Sequence, residues 1–121
     1  MGNGKVILLV EDESDLRQAM AWLLEYHGYS VETAANGKEA LARLEQIERP
    51  CLIILDLMMP EMNGWELRKG LLRHPELADV PVVLVSGAID IDKAARSLKA
   101  VDYLTKPVDF SRLFGVIEAY C

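Results

Sequence analysis

The sequence predicts an α/β fold, a doubly wound parallel sheet of five strands with helices on both faces. Two observations carry that prediction. Short runs rich in Val, Ile and Leu alternate with longer stretches whose apolar residues recur at helical spacing. The strongest of those short runs are apolar almost without interruption, as strands are when both faces of their sheet are covered. The length, 121 residues, suits a single domain, and no linker, repeat or low-complexity segment interrupts it.

Taken in order, "KVILLV" (5–10) reads as the first strand. "SDLRQAMAWLLEYHG" follows as a helix with Leu16, Met20, Leu23 and Leu24 on one face, capped by Ser14 or Asp15 and ended by Gly28. "YSVETA" (29–34) is a weaker second strand. "NGKEALARLEQIE" places Ala40, Leu41, Leu44 and Ile47 together behind an Asn36 cap. "CLIIL" (51–55) is the third strand, and "NGWELRKGLLRH" offers Trp65, Leu67, Leu71 and Leu72 to the core. In that stretch Gly64 relieves a turn before the helix. "VPVVLV" (80–85) is the fourth strand and "DIDKAARSLKA" a short fourth helix. "VDYLT" (101–105) and "DFSRLFGVIEAY" close the series, the latter with Phe110, Leu113, Phe114 and Ile117 behind an Asp109 cap. Trp22 and Trp65 are expected to pack.

Composition removes several classes of function. Lys and Arg total 13 against 19 Asp and Glu, a formal charge of −6, which disfavours sequence-independent nucleic-acid binding. No stretch approaches a membrane span, and "MGNGK" has no apolar signal core, so a cytoplasmic protein is expected. Val6 stands where a myristoylation motif needs Ser or Thr. Cys51 and Cys121 make neither a disulfide framework nor a zinc site, and two reduced thiols are expected. His27 and His74 are isolated, without a second histidine at metal-binding spacing.

One residue breaks the pattern. Asp56 ends the most apolar run of the chain, and a lone buried carboxylate is costly without a partner, a metal or a position at the rim. A doubly wound sheet supplies the rim, because ligands bind beyond the carboxyl ends of its strands. The same edge collects Glu11 and Asp12 after the first strand, Ser86 after the fourth and Lys106 after the fifth. Alone, each reads as a cap, a turn residue or a surface charge. Together, three carboxylates call for a cation, and oxygen ligands suit a hard ion such as Mg2+. Asp56 can attack phosphorus as a nucleophile, with Lys106 and the metal neutralising the transferring group and the Ser86 hydroxyl bonding a phosphoryl oxygen.

This set, with "VEDESDLR", "ANGKEAL", "DLMMPEMNGWEL" and "DYLTKP", resembles the receiver domain of two-component response regulators, over about Lys5 to Tyr120. The resemblance implies a flavodoxin-like strand order 2-1-3-4-5 and a single receiver domain across 1–121. It implies that Asp56 takes a phosphoryl group from a sensor histidine kinase or a histidine phosphotransfer protein. Mg2+ would sit on Asp12, Asp56 and the backbone carbonyl of Met58, with Glu11 acting through water. Ser86 and Lys106 would hold the phosphoryl group, Tyr103 would be the aromatic switch residue, and the Lys106–Pro107 bond would be cis. The output would be a changed face on the fourth helix, fifth strand and fifth helix, read by a downstream effector. No direct nucleic-acid or membrane contact is implied, and no catalysis beyond self-phosphorylation and self-dephosphorylation.

The sequence departs from the family in three places. Glu11 stands where Asp is common and Ser86 where Thr is also common. The segment from Ser86 to Lys106 is short, without the usual Gly-Ala before the fifth strand, so the fourth helix or its exit must be rearranged. Competing readings fit less well. A flavin domain would need a Gly-, Ser- or Thr-rich phosphate loop where "VEDESD" stands, and no G-x-G-x-x-G occurs. A dehalogenase-like phosphohydrolase would carry a second Asp where Met58 stands. A receiver-like module that binds partners without phosphorylation is the remaining alternative. No DNA-binding or catalytic output segment follows Tyr120, which fits a stand-alone receiver or a part of a hybrid kinase or multidomain regulator.

Overall fold

The structure is a computed structural model that describes residues 5–57, 64–87 and 91–121. The strands are β1 (Val6–Val10), β2 (Ser30–Ala34), β3 (Leu52–Asp56), β4 (Val82–Ser86) and β5 (Asp102–Thr105). The helices are α1 (Ser14–Tyr26), α2 (Gly37–Leu44), α3 (Gly64–Leu72), α4 (Pro75–Ala78), α5 (Ile91–Ser97) and α6 (Phe110–Tyr120). All pairings are parallel, and the strand order is β2-β1-β3-β4-β5. The single-turn α4 was not expected. Pro75 starts it at a position where a helix needs no N–H, and it spaces α3 from β4.

Strand alternation divides the core in two. Leu8, Val10, Ile53, Leu55, Val82 and Leu84 face one side and pack with residues of α2, α3 and α5. Ile7, Leu9, Leu52, Ile54, Val83 and Val85 face the other, against Met20 and Leu24 of α1 and Leu113, Val116 and Ile117 of α6. Both faces are covered, which is why β3 and β4 are buried at every position and read as unbroken apolar runs.

Local signals set most element ends. The Asn36 side chain accepts from Glu39 N at 2.8 Å, and Asp109 accepts from Ser111 N and Arg112 N. Gly28, at φ 94°, closes α1 with Gly28 N donating to Glu25 O and Tyr29 N to Leu24 O. The expected Ser14 or Asp15 cap is not used. Glu13 is the N-cap residue, its side chain makes no capping bond, and its own N–H is taken by the Glu11 carboxylate at 3.1 Å.

Three packing expectations need correction. Trp22 is 65% exposed and stacks on Tyr26, also exposed, at a ring separation of 5.5 Å. Leu72 lies at the edge of its helix face and is exposed, while Leu67 and Leu71 fill the core. Cys51 and Cys121 are not free thiols: they form a disulfide with Cα atoms 5.4 Å apart. The topology brings the start of β3 and the end of α6 together, across 70 residues of sequence that carry no local sign of it.

The short segment before β5 is resolved by α5. Ala100 N donates to Ala95 O and Lys99 N to Arg96 O, the two bonds of a helix-ending turn that glycine ordinarily makes. Here Lys99 makes it, at φ 58°. The turn of the missing Gly-Ala is therefore present as Lys99-Ala100, and the economy falls on α5, which has seven residues. Arg68 of α3 supports the turn. It is 4% exposed, and donates from Nε to Leu98 O at 2.8 Å and from Nη2 to Lys99 O at 3.2 Å. Burial pulls its pKa down, and among the described residues its Nη1 has no hydrogen-bond partner.

Two substitutions test this turn. Lys99→Gly relieves a left-handed side-chain conformation and should raise the urea midpoint by the equivalent of about 1 kcal/mol. Arg68→Ala strips two helix-end carbonyls of their donor and should lower it by about 2 kcal/mol or more. A Lys99→Gly variant no more stable than wild type would show that the turn is unstrained.

Candidate functional site

The sheet register assembles the site. Glu11 and Asp12 follow β1, and Glu11 N is fixed by Ala34 O of β2 at 3.0 Å. Asp56 is the last residue of β3, opposite Val85, and Ser86 ends β4 opposite Thr105. Lys106 follows β5, its N–H donating to Ser86 O at 3.0 Å. Parallel strands in register all end at one edge, so these distant residues meet there.

Glu11 and Asp56 are 2% and 3% exposed, Ser86 is buried, and Asp12 lies at the surface. Carboxylate oxygens of Glu11, Asp12 and Asp56 all lie within 4.8 Å of one another. The Lys106 ammonium sits between the two buried carboxylates, 3.2 Å from Asp56 Oδ2 and 3.2 Å from Glu11 Oε1. At an effective dielectric near 20, two carboxylates this close repel by about 3–4 kcal/mol. One ammonium offsets part of that and leaves two negative charges in excess. The donor set is all oxygen, which fits a hard divalent cation. The Lys106–Pro107 bond is cis, as expected.

Other expected residues fall differently. The Met58 carbonyl lies outside the described residues. Tyr103 stands two residues short of the edge, opposite Leu84. It is half-buried, packs against the core on the α5 side, and has the Arg112 guanidinium of α6 6.0 Å above its ring. It thus bridges α5 and α6 rather than joining the acidic cluster. Arg17 was missed by the sequence reading. Its Nη1 donates to Glu11 O at 2.8 Å and reaches Asp12 O at 3.4 Å, pinning the acidic turn to α1. An Arg one turn into a helix behind an acidic turn was the available signal.

The geometry agrees with comparison to known proteins. The model of the response regulator receiver domain matches residues 7–118, and the chain belongs to that family. It is 40% identical to the transcriptional regulatory protein CrdR of Helicobacter pylori over 96% of its own length and 54% of that protein's. It is 35% identical to protein PilH of Pseudomonas aeruginosa, covering 93% of this chain and 94% of PilH. The structure of the response regulator TrrA of Thermotoga maritima in complex with Mg2+-BeF superposes with a TM-score of 0.84, at 28% identity, covering 97% of this chain and 99% of that one. The chain is a receiver domain of two-component signalling. It spans nearly all of PilH and about half of CrdR.

Burial of Lys106 lowers its pKa, but the charges of Asp56 and Glu11 and their hydrogen bonds outweigh it, so the pKa is raised above the ordinary 10.5. The folded state therefore holds this proton more tightly than the unfolded chain does. The stability it contributes is complete below the ordinary lysine range and is lost as pH rises through the raised folded value. Urea melts of metal-free protein should show stability falling above about pH 10, with a flatter fall in Lys106→Met. An equally steep fall in the variant would assign the alkaline loss to other groups.

Proposed function

We propose that Asp56 is the phosphoacceptor. A carboxylate oxygen of Asp56 attacks the phosphorus of a phosphohistidine, the P–N bond breaks, and the imidazole leaves with the electron pair. The observation that carries this is the buried Asp56 carboxylate held 3.2 Å from Lys106 Nζ at the mouth of the sheet. On transfer, the carboxylate charge disappears into the acyl phosphate and reappears on phosphoryl oxygens. Lys106 follows that charge outward, releasing Asp56 Oδ2 for the phosphoryl group. Ser86, buried at the end of β4, offers its hydroxyl to a phosphoryl oxygen once Lys106 and the phosphoryl group have moved.

Asp12 and Asp56, with Glu11 behind them, would hold Mg2+. Bound there, the ion supplies charge neutralisation for phosphoryl transfer. Arg17 fixes the turn that carries two of these ligands. The Mg2+-BeF complex of TrrA supports the same reading for a relative.

The donor is a sensor histidine kinase or a histidine phosphotransfer protein, in the cytoplasm, and the chain itself acts as a signalling domain without turnover on other substrates. No described helix is long and apolar enough to cross a membrane. Output passes through the face of α5, β5 and α6, where Tyr103 links the two helices, to a downstream effector. All of 1–121 is one receiver unit.

Intact mass after incubation with Mg2+ and acetyl phosphate tests this. Wild type should gain one phosphoryl group, Asp56→Asn none, and removal of the metal with a chelator should abolish the gain. Lys106→Met should cut the transfer rate by about 100-fold, on the scale of lost electrostatic stabilisation. If wild type refuses both acetyl phosphate and a phosphorylated histidine kinase, the chain is a phosphorylation-independent interaction module instead.

A further inference from the structure

We propose that Cys51 and Cys121 form a reversible thiol–disulfide modification site that controls the anchoring of α6 independently of Asp56. The pair sits at the amino edge of the sheet. Asp56 is five residues along β3 from Cys51, about 16 Å away at the rise of a strand. Oxidation there acts on the frame of the domain without touching its phosphoryl chemistry.

Contacts other than the S–S bond hold the two cysteines in bridging position. Cys51 N donates to Val6 O at 2.9 Å, which ties it to the start of β1. Cys121 N donates to Ile117 O at 2.8 Å, so it continues the last turn of α6. Lys5 Nζ donates to Cys121 O from the same edge. None of these bonds depends on the S–S bond, so reduction leaves in place the contacts that set the Cα separation of 5.4 Å, within the range a bridge requires. Both residues pack partly buried against the α1/α6 side of the core, and neither is sealed from a small reagent.

The oxidant is a low-molecular-weight disulfide such as oxidised glutathione. One protein thiolate attacks a glutathione sulfur, the S–S bond breaks, and one glutathione thiolate leaves. The second protein thiolate attacks the mixed disulfide at the protein sulfur and expels the second glutathione. Two protein thiols become one disulfide, and one oxidised glutathione becomes two reduced ones, which take up the two protons. Because the second thiol is already in place, the mixed disulfide does not accumulate.

Such a site reconciles a disulfide with the reducing compartment in which such thiols stay reduced. The bridge closes a loop of 70 residues and fastens α6 to β3. The released state leaves Cys121 held by hydrogen bonds and by the packing of α6 on the core, without a covalent tie to β3.

The test incubates the fully reduced protein in glutathione buffers of stepped ratio, quenches with acid, alkylates with N-ethylmaleimide and reads intact mass. Wild type should pass from two alkylated thiols to none, with no lasting glutathione adduct. Cys51→Ser and Cys121→Ser should each retain one alkylated thiol or carry one glutathione. Thiols that stay alkylatable in excess oxidised glutathione, or stable adducts in wild type, would overturn the proposal. Thermal melting should rise by roughly 10 °C on oxidation of wild type and not in either variant. Equal melting of the two wild-type forms would overturn the anchoring role. Acetyl phosphate labelling should be equal in both forms, and labelling lost on oxidation would overturn its independence of Asp56.

Discussion

The placement of one ammonium group governs this domain. Asp56 is nearly fully buried at the end of a strand with no exposed residue, and Glu11 is buried beside it. Each would be costly alone. Lys106, reaching back from the end of β5, stands 3.2 Å from both and makes the burial tolerable. It does not neutralise the cluster, because Asp12 adds a third carboxylate within 4.8 Å. The site is thus folded but carries an excess of negative charge on an all-oxygen donor set, the kind that suits a hard cation.

That arrangement depends on the sheet being parallel and covered on both faces. Only then do β1, β3, β4 and β5 all deliver their last residues to one edge. The two cores are what hold the edge still, and α1 does more than cover one of them. Its Arg17 holds the acidic turn by the carbonyls, while the Glu11 side chain holds the Glu13 N–H at the start of the same helix. Helix and acidic turn cap each other, so the turn that carries Glu11 and Asp12 is braced by the fold itself.

The side of the domain between α3 and β5 is built differently. Lys99 adopts a left-handed backbone, and the buried Arg68 holds the carbonyls of the same turn. The Lys99 backbone is unfavourable for a residue with a side chain, and the two Arg68 hydrogen bonds offset part of the cost of burying its charge. The two residues together leave α5 short and tethered through Arg68 to α3, beside the strand that carries Tyr103. On the other face of the sheet, at the same amino edge, a covalent bond ties β3 to α6 instead. The acidic cluster and the disulfide thus lie at opposite ends of β3.

The sequence by itself determined the alternation of strands and helices, the caps at Asn36 and Asp109, the stop at Gly28, and the five polar residues that gather at the carboxyl edge. These follow from local chemistry and from side-chain period, which are written residue by residue. The tertiary structure alone decided the rest. The Cys51–Cys121 bond joins positions 70 residues apart, the Arg68 bonds to Leu98 and Lys99 cross 30 and 31, and Trp22 is left exposed because no other described element covers its side of α1. Hydrophobicity states that a residue tends to be covered but not what covers it. A cysteine likewise does not announce its partner, because pairing is fixed by where the chain's topology sets two ends down.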